Sequence, residues 1–197
     1  MNYLAHCFLS GDNPLILTGN FLGDFVKGHD YDAYETGIRN GILLHRFIDS
    51  FTDEHPITSE VRALVRPICG HYSGVAVDML YDYALAKMWN HFSEVPLEIF
   101  AQNVFQTLHI HADPISVEAS HLLYYMERDN WFVAYTQISG LLRAMNGMEK
   151  RIGRKTGLPQ SVDWLVENEM QLVELFMVFF PEILSSCQSK IHNFAPA

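Results

Sequence analysis

The sequence predicts an all-α fold in a single compact domain spanning 1–197, and three observations carry that expectation. Apolar residues recur at three- and four-residue spacing along most of the chain, while few stretches alternate polar and apolar residues in the manner of a strand. The eight prolines are scattered as single marks, with no linker, internal repeat or low-complexity tract between them. Hydrophobic residues make up 49% of the chain and charged residues 18%, enough for a sizeable core and too much for a disordered segment. A domain of this length buries roughly 70% of the surface its unfolded chain exposes.

Taken in order, the periodicity predicts helices at about 2–9, 14–27, 34–53, 57–67, 73–92, 96–110, 115–127, 131–147 and 161–190. Asn13-Pro14 offers a capping amide followed by a proline that needs no N–H partner in the first turn. His55-Pro56 before Thr58, and Ser161 before Val162-Asp163-Trp164, mark two further starts. Gly11, Gly28, Gly70 and Gly157 read as stops or loop residues. The first nine residues are apolar but lack a basic leader and a long uninterrupted run, so they read as a helix and not as a secretory signal. The most apolar stretch, Leu172 to Leu184, is interrupted by Glu174, Pro181 and Glu182 and falls short of the roughly 20 residues a bilayer requires, so no membrane span is expected.

The formal net charge is −10 with neutral histidine, which repels nucleic-acid backbones and anionic lipid and argues against either as a general partner. Cys7, Cys69 and Cys187 form no CxxC pair, which fits buried thiols in a reduced, cytoplasmic setting. One segment runs against the acidic background. Lys150, Arg151, Arg154 and Lys155 cluster within 147–160, which reads as a solvated loop between helices.

The residues that point to chemistry are polar groups placed where a helical pattern calls for core. His45 and Asp49 are four apart and share a face, with Asp53 continuing the line; Asp78 and Asp82 do the same in a very apolar helix, and so do Asn20 and Asp24 upstream. A helical His-Asp pair at this spacing is also a common surface ion pair. Carboxylates among Val, Met, Leu and Phe, however, are costly unless a cation or a hydrogen-bond network compensates them. Several carboxylates converging with an imidazole form a ligand set for manganese, magnesium, iron or zinc, and the lack of a cysteine pair argues against a structural zinc. His6 is a candidate to line such a site. His109 and His111 are two apart and point to different faces, His29-Asp30 sits in a turn-like stretch, and no GxSxG elbow, P-loop or dinucleotide glycine fingerprint is present. Cys69 has only its neighbours Gly70-His71 to recommend it as a nucleophile.

Several ordered pieces of the chain resemble the acyl carrier protein phosphodiesterase family. They are Met1-Asn2-Tyr3-Leu4-Ala5-His6, Gly19-Asn20-Phe21-Leu22-Gly23-Asp24-Phe25-Val26-Lys27-Gly28, Leu44-His45-Arg46-Phe47-Ile48-Asp49 with Thr52-Asp53, Asp78-Met79-Leu80-Tyr81-Asp82-Tyr83-Ala84-Leu85-Ala86, and Asn146-Gly147-Met148. The chain departs from the family pattern at Gly23, where alanine is usual, and at Phe47, where the pattern has a second arginine after the histidine. The stretch 93–130 and Cys69-Gly70-His71-Tyr72 match loosely.

The family is similar in turn to the wider HD-type metal phosphohydrolases, which implies a distantly HD-domain-like helical fold. The resemblance implies hydrolysis of the phosphodiester that joins 4'-phosphopantetheine to a serine of holo-acyl carrier protein. It also implies a divalent cation, manganese first, with magnesium, iron or zinc as alternatives. On this reading Asp24, His45, Asp49 and Asp78 are metal ligands, Asp82 orients water or serves a second ion, Arg46 neutralises phosphate charge, and His6 lines the site. Acyl carriers are acidic, so docking would use Lys150, Arg151, Arg154 and Lys155, with Arg143 beside them. Two other readings stay open: a phosphohydrolase of nucleotides or small phosphodiesters, and a non-catalytic helical binding protein.

Overall fold

The computed structural model describes residues 1–112 and 116–194, and no strand occurs among them. The helices are α1 (Tyr3–Phe8), α2 (Pro14–Leu22), α3 (Thr36–Glu54), α4 (Pro56–Cys69), α5 (Ser73–Lys87), α6 (Leu97–His111), α7 (Val117–Arg128), α8 (Trp131–Ala134), α9 (Ile138–Ile152) and α10 (Ser161–His192). Short 3-10 turns stand at Asp30–Ala33, Gly70–Tyr72 and Trp89–His91. The Asn13 side chain caps α2 by accepting from the Leu15 and Ile16 amides, and Pro14 follows it, as the sequence predicts.

Four boundaries differ from expectation. The second helix stops at Leu22 instead of running to 27, so Asp24 lies in a turn and not on a helical face. The stretch 131–147 is two helices, because the chain turns at Tyr135–Gln137 and brings Gly140 so close to the Ala134 carbonyl that a Cβ there would lie 1.9 Å from its oxygen. The basic segment is partly helical: α9 continues to Ile152 and ends on Gly153 at φ 77°, a left-handed cap that suits glycine. The helix expected from 73 to 92 ends at Lys87 and continues as a 3-10 turn. Position 115, where the seventh helix was expected to begin, lies outside the described residues.

Helices α2 and α3 cross with their backbones in contact. A Cβ on Gly19 would lie 2.0 Å from the Ile38 carbonyl oxygen, and one on Gly41 would lie 2.2 Å from that of Ile16. Only glycine permits this approach, which brings Asn20 of α2 against His45 of α3. Helix α1 packs on α5 and α2, and α10 lies behind α3, α4 and α5. By length and composition α10 could cross a membrane, yet one side of it buries Leu172, Phe176, Phe179, Phe180, Ile183 and Cys187 in the core. Tyr81 of α5 stacks on Phe179 there, with ring centroids 4.9 Å apart. Cys7, Cys69 and Cys187 are free and buried.

Candidate active site

Three buried polar groups from separate helices meet where α1, α2 and α3 converge. Asn20 is fully buried and organises them. Its side-chain NH2 donates to the His6 carbonyl (2.9 Å) and to Ser10 Oγ (2.8 Å), which leaves its Oδ1 as an acceptor facing His6 Nδ1 at 2.8 Å. Its backbone carbonyl faces His45 Nδ1, also at 2.8 Å. A carbonyl only accepts, so each ring must place its proton on Nδ1. The two rings then stack, with centroids 4.2 Å apart, and turn their Nε2 atoms the same way.

Those Nε2 atoms face oxygens. His6 Nε2 lies 3.2 Å from Asp49 Oδ1 and 3.1 Å from the Met1 carbonyl; His45 Nε2 lies 3.2 Å from Asp49 Oδ2 and 3.5 Å from Asp24 Oδ1. With both Nδ1 protons committed to Asn20, neutral rings would aim lone pairs at acceptors, an arrangement that a proton or a metal cation relieves. His6, His45 and Asp49 each offer a ligand atom, all within 4.8 Å of one another. Separations near 3.2 Å suit neighbouring ligands of one cation held at about 2.1 Å. These residues could hold a divalent metal, and the Nδ1 hydrogen bond to a carbonyl is the arrangement that usually steadies a ligating histidine.

The electrostatics agree with a seat for positive charge. Burial opposes protonation of His45, but its hydrogen bonds to Asp24 and Asp49 and their charges push its pKa up to about 9. Burial, reinforced by the charge of His45, pushes His6 down. Burial would raise Asp49 and Asp24, yet their histidine partners hold both below the usual carboxylate range, and Asp24 also accepts from the Tyr3 hydroxyl at 2.7 Å.

In front of this group is a polar cavity of about 220 Å³ lined by Met1, Asp24, His45, Asp49, Asp53 and Asp78. The Met1 ammonium is buried and pairs with Asp78 (3.0 Å) and Asp49 (3.7 Å), which keep it protonated against the cost of burial. A more open hollow of about 560 Å³, bordered by Phe105, His109 and Glu127, shares none of these residues.

The other expected residues fall in different places. Asp82 is fully buried and its two oxygens accept from the Leu4 and Ala5 amides at 2.9 and 3.1 Å; it caps α1 from across the fold and does not line the cavity. Burial, only partly offset by those amides, raises its pKa to about 7. The Arg46 guanidinium donates to the Val26 carbonyl at 3.2 Å and lies over the Tyr31 ring, bracing the loop that carries Asp24. Arg143, Lys150, Arg151, Arg154 and Lys155 are all exposed. Arg154 rests on Tyr72.

Asn20 shares the spacing of Asp24 in the sequence, but nothing local signals that it orients two histidines, nor that Tyr3 and the Met1 ammonium join the site. Gly23 carries a signal: a Cβ there would lie 2.2 Å from His45 Cγ, so the alanine of the family pattern would require the ring to move.

Proteins named acyl carrier protein phosphodiesterase from Enterobacter sp. (strain 638) and Yersinia pestis are 29% and 28% identical to this chain, each over 191 residues that cover 96% of it and 99% of the relative. One of the same name from Escherichia coli O157:H7 is 28% identical over 194 residues. No solved structure matches. The sequence model described as acyl carrier protein phosphodiesterase matches residues 1–183, and the chain belongs to that family.

Proposed function

We propose that the protein hydrolyses the phosphodiester linking 4'-phosphopantetheine to an acyl carrier protein, releasing apo-carrier. His6, His45 and Asp49 would hold a divalent cation, with Asp24 and Asp78 beside them. The observation that carries this reading is the pair of imidazoles whose Nδ1 protons are fixed by Asn20 and whose Nε2 atoms converge on Asp49.

A divalent cation bound there would polarise the phosphoryl group and lower the pKa of a water molecule. Manganese suits this imidazole and carboxylate set, with magnesium, iron and zinc as competitors. The remaining roles belong to the chain itself. Asn20 fixes the ring orientations, Tyr3 and His45 keep Asp24 ionised, and Asp82 holds α1 so that His6 faces Asp49. Carboxylates held below their usual pKa range serve better to bind a cation than to abstract a proton. Arg46 acts through the Asp24 loop. The reaction transfers the phosphoryl group to water: a P–O bond forms, the bond to the serine oxygen breaks, and that oxygen takes up a proton.

The protein carries net charge −10, so an acidic carrier must find a local basic surface, and Lys150, Arg151, Arg154 and Lys155 with Arg143 provide one. The three buried free thiols fit a cytoplasmic setting.

The experiment is to incubate pure protein and manganese with holo-carrier and follow loss of phosphopantetheine by mass spectrometry, with Asp24→Ala, Asp49→Ala, free nucleotides and a small phosphodiester as controls. Loss of the group with wild type alone is expected; an unchanged carrier mass beside rapid nucleotide cleavage would favour the small-substrate reading. Charge reversal at Lys150 and Arg151 should raise KM for the carrier and spare the small phosphodiester, and equal loss on both would refute the docking surface.

A further inference from the structure

Asp24, Asp49, Asp53 and Asp78 would repel a phosphodiester from the cavity unless cations stand among them. Arg62 supplies one. It lies nine residues after Asp53, on the second turn of α4, and the His55-Pro56 corner folds α4 back so that Arg62 Nη2 donates to Asp53 Oδ1. The same nitrogen passes over the start of α5: a Cβ built on Gly74 would lie 3.9 Å from it. Asp78, one turn farther along α5, lines the cavity too. The guanidinium is therefore bracketed by the two helices that contribute Asp53 and Asp78.

Arg62 has donors to spare. A guanidinium carries five N–H groups in a planar fork. Asp53 takes one, Nε is buried with no acceptor, and the side chain remains 30% exposed. Among the described ion pairs it is the guanidinium joined to a cavity-lining carboxylate, whereas Arg46, next in sequence to His45, is turned onto Val26 and Tyr31.

We propose that Arg62 contacts the substrate, its guanidinium binding the non-bridging phosphate oxygens at the mouth of the cavity, with Asp53 as the residue that positions it. The proposal rests on the phosphodiesterase reading above and adds to it a residue outside the metal-ligand group. Arg62 does for the substrate anion what His6, His45 and Asp49 do for the cation.

The test titrates inorganic phosphate calorimetrically into wild type, Arg62→Met, Arg62→Lys and Asp53→Asn, with and without manganese, and measures manganese affinity separately. Loss of a charge-assisted, forked contact should weaken phosphate binding by about 10- to 100-fold in Arg62→Met. Arg62→Lys should recover part of that loss, because charge returns without the fork. Manganese affinity should stay within about twofold of wild type in both, as expected for a group that binds the anion.

Undiminished phosphate binding in Arg62→Met, or no phosphate binding by wild type, would overturn the proposal. So would a parallel fall in manganese affinity, because Arg62 would then only shape the carboxylates. If Arg62→Met does not fold, Arg62→Lys carries the test by the same criteria. Arg62-dependent phosphate binding in a protein that leaves holo-carrier intact would instead count against the carrier substrate.

Discussion

Asp78 and Asp82 stand one turn apart on α5 and belong to different layers of the molecule. Asp82 sits in an inner layer with Asn20, Ser10 and the Nδ1 sides of His6 and His45, where buried donors and acceptors meet one another. Asp78 sits in an outer layer with Asp24, Asp49 and Asp53, where carboxylates border a cavity and share a few cations. The side chains of Asp24 and Asp49 are 50% and 46% exposed, while Asp82 is not exposed at all. The inner layer sets positions, and the outer layer is left with unspent acceptor capacity, which is what a cation site requires.

Removing one carboxylate from each layer should have unequal effects. Asp82→Ala strands two buried amides at the start of α1, and each orphaned donor costs about 1–3 kcal/mol. A loss of about 3 kcal/mol, or roughly 6–12 °C in Tm for a chain of this size, is expected in thermal unfolding. Asp78→Ala should cost less, because its side chain is 35% exposed and Asp49 remains near the Met1 ammonium. Equal destabilisation by the two would abolish the distinction between layers.

A smaller effect should follow from Asn20→Ala. His6 loses the acceptor for its Nδ1 proton, while His45 keeps the backbone carbonyl of residue 20. Loss of such a supporting hydrogen bond typically lowers metal affinity by about 10–100-fold. Manganese titration measures it, and wild-type affinity in the variant would show that ring orientation is fixed by packing alone.

The outer layer was more legible in the sequence than the inner one. The four-residue spacing of His45 and Asp49, and carboxylates in apolar helices, are local signals that flag His45, Asp49, Asp53 and Asp78 without a fold, although the same spacing flags Asp82 as strongly and places Asp24 on a helical face it does not occupy. The contacts of the inner layer join residues far apart in the chain. His6 meets Asn20 across fourteen positions and Asp49 across forty-three, and Asp82 meets Leu4 across seventy-eight. Nothing in the local pattern separates Asp82 from Asp78, since both lie on one face of α5; what differs is that α1 packs over one of them.

The helical fold was legible from periodicity, and the missed boundaries have tertiary causes. Phe25 and Val26 extend the apolar pattern of α2, but the chain leaves the helix at Gly23, where the His45 ring takes the space a Cβ would need. The basic segment reads as a loop because it is short on apolar residues, although α9 carries Lys150 and Arg151 on its last turn, where positive charge meets the negative end of the helix.

The two layers should also respond to pH with opposite sign. Asp24 and Asp49 have folded pKa values below their unfolded ones, so their contribution to stability is present above about pH 4 and is lost as pH falls. Asp82 is the reverse: its pKa rises from 3.8 to about 7 on folding, so between those values the native state holds a proton that the unfolded chain has released. Its contribution is greatest below about pH 4 and declines as pH rises to 7, with a slope of at most about 1.4 kcal/mol per unit. Asp82→Asn, neutral throughout and with one acceptor left for the amides, should therefore gain on wild type as pH rises. Urea unfolding of the metal-free proteins at pH 4.5, 6 and 7.5 measures that gap. A constant gap would mean that Asp82 is already ionised at the lowest pH, its cost offset by the Leu4 and Ala5 amides, and the inner layer would then carry a fixed negative charge behind the histidines.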